Sequence, residues 1–147
     1  MPSVRGCNLP DDLLYDVDNH IWFTEMGDGT VKIGMTTVAT AMAGKLVAYT
    51  PKKVGRSVRA GKSCGTLESG KWVGPAKSAA GGEVVAVNDD LVADPSIAND
   101  DPYEKGWLAI LKPDDWDSVK GSLVAGSDVS SAYEAKMDAE GFGGCGE

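Results

Sequence analysis

Two segments of the chain resemble each other, GKLVAYT at residues 44–50 and GEVVAVN at residues 82–88, and the architecture can be inferred from them. Each segment is a glycine, a charged residue, an apolar run and a polar stop. Similar β units of this kind place the chain that joins them at a turn on the rim of the fold. Because the joining chain contains ESGKW at 68–72, the sequence predicts that Lys71 is presented to solvent.

A lysine at a hairpin turn usually does no more than keep a loop soluble, so the residues around Lys71 have to decide its role. The pattern ESxK at 68–71 is followed by SAAGGEVVAVN at 78–88. This resembles the lipoylation segment of glycine cleavage H proteins, in which ESVKA precedes SPVSGEVVEVN. The resemblance implies a lipoyl group attached covalently to Lys71. It also implies that four neighbouring residues contact the lipoyl-lysine arm or are recognised by the lipoate-attaching enzyme: Glu68, Ser69, Gly70 and Trp72.

The resemblance continues along most of the chain, over about residues 18–140. HIW at 20–22 resembles the HEW of H proteins, and GDGTVKIGMT at 27–36 resembles their GDGTATVGIT. VGRSVRAGK at 54–62 is similar to VGDTVKAGE, and DPSIANDDPYEKGWL at 94–108 to NPELVNEDPYGEGWL. The implied fold is a mainly β, lipoyl/biotinyl-type hybrid sandwich or flattened barrel, with short peripheral helices and a C-terminal helix.

Departures from the H-protein pattern cluster around Lys71. Trp72 stands where H proteins have alanine, VGP at 73–75 where they have polar residues, and YTPKKVG at 49–55 where they have the acidic VELPEVG. With RGCN at 5–8 and GFGGCG at 141–146, these features resemble the lipoate-binding proteins of the heterodisulfide-reductase-like system of bacterial sulfur oxidation. That resemblance implies an arm that shuttles sulfur intermediates to an iron–sulfur complex.

Two other functions stay open at this point. One is the aminomethyl carrier of glycine cleavage, whose partners are glycine decarboxylase, aminomethyltransferase and lipoamide dehydrogenase. The other is an unmodified binding module in which Lys71 is only a surface charge. Trp72 likewise has two interpretations, since it could pack on the hairpin or form a wall against which an apolar arm rests.

Composition narrows the class of protein. A chain of 147 residues with 42% hydrophobic content can bury one modest core, which favours a single domain over residues 1–147. The net charge of −8 argues against nucleic acid and against anionic membranes as partners.

No run approaches the roughly 18 to 20 apolar residues that span a bilayer, and the N-terminus has no apolar signal region, so we expect a cytoplasmic protein without membrane insertion. The sequence has one histidine and no phosphate-binding GxxxxGK[ST] loop. It therefore offers no recognisable pair of nucleophile and base, which favours a carrier over an enzyme.

The three cysteines are expected to be free thiols in a reducing compartment. Cys64 has apolar neighbours and is expected to pack as a small hydrophobe. Cys7 and Cys145 lie in glycine-containing terminal segments. The alternative is that these two approach one another or exchange with the sulfur chemistry of the arm. Zinc is not expected, because no pair has CxxC spacing.

Local patterns predict the remaining elements. Asp28-Gly29 favours a hairpin over 21–34. A short helix is expected over 36–43, with Thr36 or Thr37 as its N-cap and Gly44 as its C-terminal stop. Residues 45–87 are expected to be β, 106–111 an apolar strand that closes the sheet, and 127–137 a helix. A second short helix is expected to start at 94–96. Residues 1–15 are predicted to be a polar lead laid against the body, and 141–147 a flexible tail. For His20, a surface or hydrogen-bonded role is favoured over catalysis.

Overall fold

The computed structural model describes residues 3–145 and has the predicted mainly β, sandwich-like architecture with short helices and a C-terminal helix. The strands, in chain order, are β1 Ser3–Val4, β2 Cys7–Asn8, β3 Leu14–Asp16, β4 Ile21–Glu25, β5 Val31–Met35, β6 Leu46–Pro51, β7 Ser57–Val58, β8 Lys62–Ser69, β9 Val73–Ser78, β10 Gly82–Val87, β11 Ala109–Pro113 and β12 Val124–Ala125. The helices are α1 Thr37–Ala43, α2 Asp89–Ala93, α3 Ile97–Asp100, α4 Trp116–Ser122 and α5 Val129–Glu140, with a 3₁₀ turn at Gly126–Asp128 before α5.

The strands form two main sheets, in which all neighbours are antiparallel. The larger sheet has the order β12-β3-β4-β5-β11-β10-β7, and the smaller one the order β6-β8-β9. A separate two-stranded ribbon joins β1 to β2. The two similar sequence segments form β6 and β10, which lie in different main sheets, and the β8–β9 hairpin lies between them in the chain.

The main core fills the space between these two sheets. The smaller sheet contributes Tyr49, Cys64, Leu67 and Ala76, each at most 4% exposed. Facing them is the larger sheet, with Phe23, Ile33, Val84 and Leu111 among its buried side chains. A hydrogen bond of 2.9 Å from the Tyr49 hydroxyl to the carbonyl of Leu108 ties the two layers together. This apolar layer holds the β8–β9 hairpin in a fixed position on the larger sheet.

Of the two threonines predicted as the N-cap of α1, Thr36 is the one that caps it, and the predicted end at Gly44 is confirmed. The Thr36 hydroxyl accepts a hydrogen bond from the backbone N–H of Ala39, and the N–H of Gly44 donates to the carbonyl of Thr40. Gly44 has φ of 83°, a conformation that favours glycine. Helix α1 therefore stops abruptly, and the chain turns directly into β6.

The prediction for residues 1–15 is wrong over the described part of that segment. Val4, Cys7, Leu9 and Tyr15 are buried, and they form a second core with residues of α5. Strand β3 also pairs with β4 inside the larger sheet. The sequence pattern was misleading because these buried residues are isolated among polar ones and show no strand periodicity over a useful length.

The C-terminal segment is also held more firmly than predicted. Among residues 141–145, the N–H of Phe142 bonds to the carbonyl of Met137, and the N–H of Cys145 to the carbonyl of Arg5. Cys145 forms a disulfide with Cys7, whose Cα lies 5.0 Å away. The expectation of free thiols at these two positions is therefore wrong, and the alternative that the two approach one another is confirmed. Residues 146 and 147 lie outside the described part of the chain. Cys64 is a free, buried thiol as expected.

Two further sequence predictions need correction. The strand predicted at 106–111 is β11, shifted toward the C-terminus, and it lies between β5 and β10 instead of closing the sheet. Helix α2 was not predicted, although Asn88 caps it by accepting from the N–H of Leu91. None of the helices within residues 3–145 has the length and apolar character needed to cross a membrane.

The disulfide gives a direct test of how much the joined ends stabilise the fold. Because the bond links residues 138 positions apart, Cys145→Ser is expected to lower the free energy of unfolding by about 2–4 kcal/mol. Denaturant unfolding without reductant measures this difference. A reducing agent should bring the wild-type protein down to the variant's stability and leave the variant unchanged. A variant as stable as the oxidised wild type would contradict the prediction.

Candidate functional site

Lys71 lies at the turn of the β8–β9 hairpin, as predicted. The N–H of Ser69 donates to the carbonyl of Trp72 over 2.7 Å, so Gly70 and Lys71 form a tight two-residue connection. Ser69 is only 5% exposed. Its hydroxyl accepts a hydrogen bond of 3.3 Å from the backbone N–H of Lys71. The turn is therefore internally braced, and it leaves the Lys71 side chain exposed.

The Lys71 side chain runs over the end of α1. Its Cε lies 3.1 Å from the place where a Cβ on Gly44 would be. Asn99 fixes this spot with two hydrogen bonds, since its amide donates to the carbonyl of Gly44 and accepts from the N–H of Leu46, each over 2.9 Å. Glycine is favoured here for its positive φ, whereas an added Cβ would only displace the flexible end of the Lys71 side chain slightly.

The other predicted site residues surround the same turn. Glu68 is exposed on β8 opposite Val73. Gly70 does not have a positive φ, and nothing lies within 4 Å of a Cβ placed on it. The turn conformation therefore does not require glycine at this position, and what Gly70 provides is open space beside Lys71. The roles assigned to these residues in ligase recognition stay predictions.

An apolar groove begins beside the lysine at Trp72, and we call it the Trp72 groove. It lies between the β8–β9 hairpin and α1 and has a volume of about 290 Å³. The lining residues are Asn19, His20, Ile21, Met35, Ala39, Met42, Ala43, Leu67, Trp72, Pro75, Ala76 and Glu140. Three of them, Ala39, Met42 and Ala43, have the spacing of one helix face, so helical periodicity could have identified this wall from the sequence.

Trp72 fits both interpretations offered by the sequence. Its indole covers Gly74, where any Cβ would overlap the ring, so it packs on the hairpin. It also lines the groove and remains 38% exposed. The glycine two residues along β9 thus makes room for the ring to lie flat and form the groove's outer wall.

The polar end of the groove is built around His20. The imidazole stacks on Tyr133, and its Nδ1 lies 3.1 Å from the Tyr133 hydroxyl. Its Nε2 lies 3.3 Å from a Glu140 oxygen, within ion-pair distance but not aligned as a hydrogen bond. Burial lowers the pKa of His20, and the nearby Glu140 carboxylate opposes that shift. No signal in the sequence linked Glu140 to His20, because α5 alone brings them together.

The remaining free thiol takes no part in this site. Cys64 is 1% exposed on the inner face of β8, and burial raises its pKa to about 12. A thiol with so high a pKa is almost entirely protonated at neutral pH and is a poor nucleophile. Cys64 is therefore not a candidate for thiol chemistry at this site.

Comparison with known proteins agrees with this geometry. The family described as "Glycine cleavage H-protein" matches residues 13–136. Glycine cleavage system H protein 5 of Aquifex aeolicus is 51% identical over 138 residues, covering 91% of this chain and 90% of that protein. H protein 2 of the same strain is 41% identical and covers 97% and 88%. A crystal structure of a glycine cleavage system H protein from Mycobacterium marinum superposes with a TM-score of 0.73 at 35% identity, covering 84% of this chain and 97% of that one.

A β sandwich that displays a lysine on a braced hairpin turn is the architecture of a carrier domain and not of an enzyme that acts alone. The chain belongs to the glycine cleavage H-protein family. Members of this family are lipoyl carrier proteins, non-catalytic components of a multi-enzyme system that carry covalently attached lipoate.

The contact between Trp72 and Gly74 can be tested without altering Lys71. Gly74→Ala is expected to displace the indole, because the added Cβ would overlap the ring. A shift of the Trp72 indole N–H signal in a ¹H–¹⁵N NMR spectrum, assigned with Trp72→Phe, measures the displacement. Gly70→Ala is the matched control and should leave that signal in place, since its Cβ meets no atom within 4 Å. An unmoved signal in Gly74→Ala would refute the packing described here.

Proposed function

We propose that Lys71 carries lipoate through an amide bond to Nζ and that this protein works by moving the resulting arm between partner enzymes. The observation that carries the proposal is the exposed lysine on a braced two-residue turn, next to an apolar groove. When bound, lipoate supplies a dithiolane whose sulfurs can be reduced, loaded and reoxidised. The protein's own residues present, orient and shelter that group.

Lipoate attachment places distinct demands on the residues of the turn. The lipoate-attaching enzyme needs access to Nζ and to the backbone beside it, and the open space around Gly70 supplies that access. Glu68 is exposed and can be read by the enzyme. Ser69 acts from inside the turn, since its hydroxyl holds the N–H of Lys71. These contacts position the lysine before any partner binds.

The Trp72 groove is the resting place that we assign to the arm. Amide formation removes the charge of Lys71 and adds an aliphatic chain, so sheltering it from water is favourable at roughly 25 cal/mol per Å² of apolar area covered. Trp72, Met42 and Leu67 offer apolar walls to such a chain. Met42 and Trp72 are 37% and 38% exposed in the free chain, which leaves apolar area for an arm to cover.

The first candidate cargo is the aminomethyl group of glycine cleavage. Family membership and the names of the relatives favour it. The partners would then be glycine decarboxylase, aminomethyltransferase and lipoamide dehydrogenase. In this role the arm receives the aminomethyl group at one enzyme, and the protein shelters it on the way to the next.

The second candidate cargo is sulfur bound for an iron–sulfur complex of the heterodisulfide-reductase-like type, and the chemistry of the groove favours it. An aminomethyl group is cationic at neutral pH and is best stabilised by a carboxylate. Among the lining residues the carboxylate is that of Glu140, which already lies within 3.3 Å of His20 and 3.6 Å of Lys136. Ile21 and Pro75, which stand where the H-protein pattern has glutamate and a polar residue, also line the groove. A neutral sulfur-bearing group suits such apolar walls better.

The attachment site is tested by mass. The protein purified from its native host should carry one lipoyl group, and fragmentation should place it on Lys71. Lys71→Arg keeps the charge but lacks the primary amine that the ligase acylates, so it should be unmodified and still folded. Lys77→Arg, on the same hairpin and also exposed, is the control and should be lipoylated normally. Unmodified wild-type protein in active cells would leave only the binding-module alternative.

The cargo is tested by offering the lipoylated protein to both systems of the host. If the carrier serves glycine cleavage, glycine decarboxylase should load the arm with an aminomethyl group, detected by mass. If it serves sulfur oxidation, the arm should instead retain additional sulfur in cells grown on reduced sulfur, and the heterodisulfide-reductase-like complex should remove it. Lys71→Arg should abolish either reaction. Efficient aminomethyl loading with no sulfur load would eliminate the second candidate.

A further inference from the structure

Positive charge is concentrated in one part of this acidic chain. Residues 52–77 hold seven of the 14 lysines and arginines and a single acidic residue, Glu68. That segment therefore has a net charge of +6, which leaves −14 on the rest of a chain whose total is −8. One of the seven is Lys71. The other six are Lys52, Lys53, Arg56, Arg59, Lys62 and Lys77, and we call them the basic end.

The fold gathers these six side chains at the end of the hairpin sheet that is opposite the lysine turn. A turn closed by the N–H of Arg56 on the carbonyl of Lys53 follows β6, and a second one is closed by the N–H of Lys62 on the carbonyl of Arg59. Lys77 joins them because the β8–β9 register places it opposite Ser63. Pro51, Lys52, Lys53 and Arg56 line one shallow surface depression.

The basic end is exposed and lacks internal charge partners. All six residues are exposed, and none forms an ion pair with any residue between 3 and 145. By contrast Arg5, Lys120 and Lys136 are paired with acidic side chains. Glu83, which pairs with Ser57 across β10 and β7, and Asp114, whose N–H bonds to the carbonyl of Gly81, border the region, but neither forms an ion pair within residues 3–145. A set of like charges held together without compensation costs the free protein energy, and an oppositely charged surface would relieve it.

Between the basic end and the lysine turn, the sheet face holds the single carboxylate of Glu68 and several exposed apolar side chains. Along β9 the exposed residues are Lys77, Pro75 and Val73, which alternate onto one face. Val73 is 63% exposed, and Val47 on β6 is 57% exposed. Strand β8 from Lys62 to Ser69 covers about 23 Å at 3.3 Å per residue. The arm and the basic end thus lie at opposite ends of one face, separated by roughly 20 Å.

We propose that the enzyme that loads or unloads the arm docks on this sheet face, with an acidic patch against the basic end and an apolar contact at Val47 and Val73. The inference rests on the proposed function, because the partner is defined as the enzyme that acts on the Lys71 arm. Attraction between the patches steers encounter and fixes orientation. On the partner, the opening that admits the lipoyl arm then lies roughly 20 Å from the acidic patch, because the lysine turn and the basic end of this protein are separated by about that distance.

Other occupants fit the charge pattern less well. Two copies of this chain, each with a net charge of −8, repel at long range and bring no chemistry to the arm. Nucleic acid would face the −14 carried by the rest of the surface. Both are outcomes that the experiment separates.

The experiment compares three lipoylated proteins: the wild type, K53E/R56E and a control, K32E/K105E. Both variants change the net charge equally. Lys32 and Lys105 line a different depression, near Asn88 and Trp107, and form no ion pair within residues 3–145. The probes are the host's glycine decarboxylase and heterodisulfide-reductase-like complex. Arm turnover is measured from low to high ionic strength with whichever enzyme is active on the wild type.

K53E/R56E is expected to lower kcat/KM by about tenfold or more at low salt, with kcat at saturation unchanged and the difference shrinking as salt screens the charges. The control should stay within about twofold of the wild type. Equal loss in both variants, or no loss in K53E/R56E, overturns the docking proposal. The docking proposal is also overturned if the wild type forms a concentration-dependent dimer, or binds a mixed-sequence DNA duplex, and K53E/R56E abolishes that interaction.

Failure of the proposed function is distinguishable from failure of the docking proposal. Wild-type protein that has no lipoyl adduct on Lys71, or that neither enzyme turns over, overturns the proposed function and the docking proposal with it. A loaded and active wild type together with an unimpaired K53E/R56E overturns the docking proposal alone.

Discussion

The position of Lys71 depends on the register of the β8–β9 hairpin, and that register is fixed by burial. Along β8, Cys64, Leu67 and Ser69 face inward while Thr66 and Glu68 face solvent. A slip of one residue would send the inward set to solvent and bury a carboxylate. The irregularity between Ser63 and Gly65 resets the alternation once, so both Cys64 and Leu67 reach the core. Packing against the larger sheet thereby determines which residue occupies the turn.

The same hairpin shapes the surroundings of the arm. Trp72 follows the lysine, and Gly74 lets its ring lie against the strand. Across the groove, α1 contributes one apolar helix face and then ends at Gly44, directly under the Lys71 side chain. Asn99 holds that junction from α3. The surroundings of Lys71 thus come from the β8–β9 hairpin, α1 and α3. Hydrogen bonds to the backbone and packing of the core set the relative positions of these three elements.

The sequence predicted the parts of this arrangement that have local signals. The threonine pair at 36–37 and Gly44 marked the ends of α1, and the two similar segments at 44–50 and 82–88 located the hairpin that carries Lys71. The long-range contacts were out of reach. The pairing of Cys7 with Cys145 was only an alternative to free thiols, and nothing near His20 indicates that Glu140 lies at the end of α5. Both pairs depend on α5 packing over the second core, whose buried residues are scattered along the N-terminal segment.

The bond between Cys7 and Cys145 closes a loop between residues 138 positions apart. A protein-degrading machine that threads the chain through its pore would meet this closed loop. It would have to draw two strands of chain through its pore at once, or wait until the bond is reduced. The lifetime of the folded carrier inside a cell would then follow the thiol balance of its surroundings, independently of whatever its arm carries.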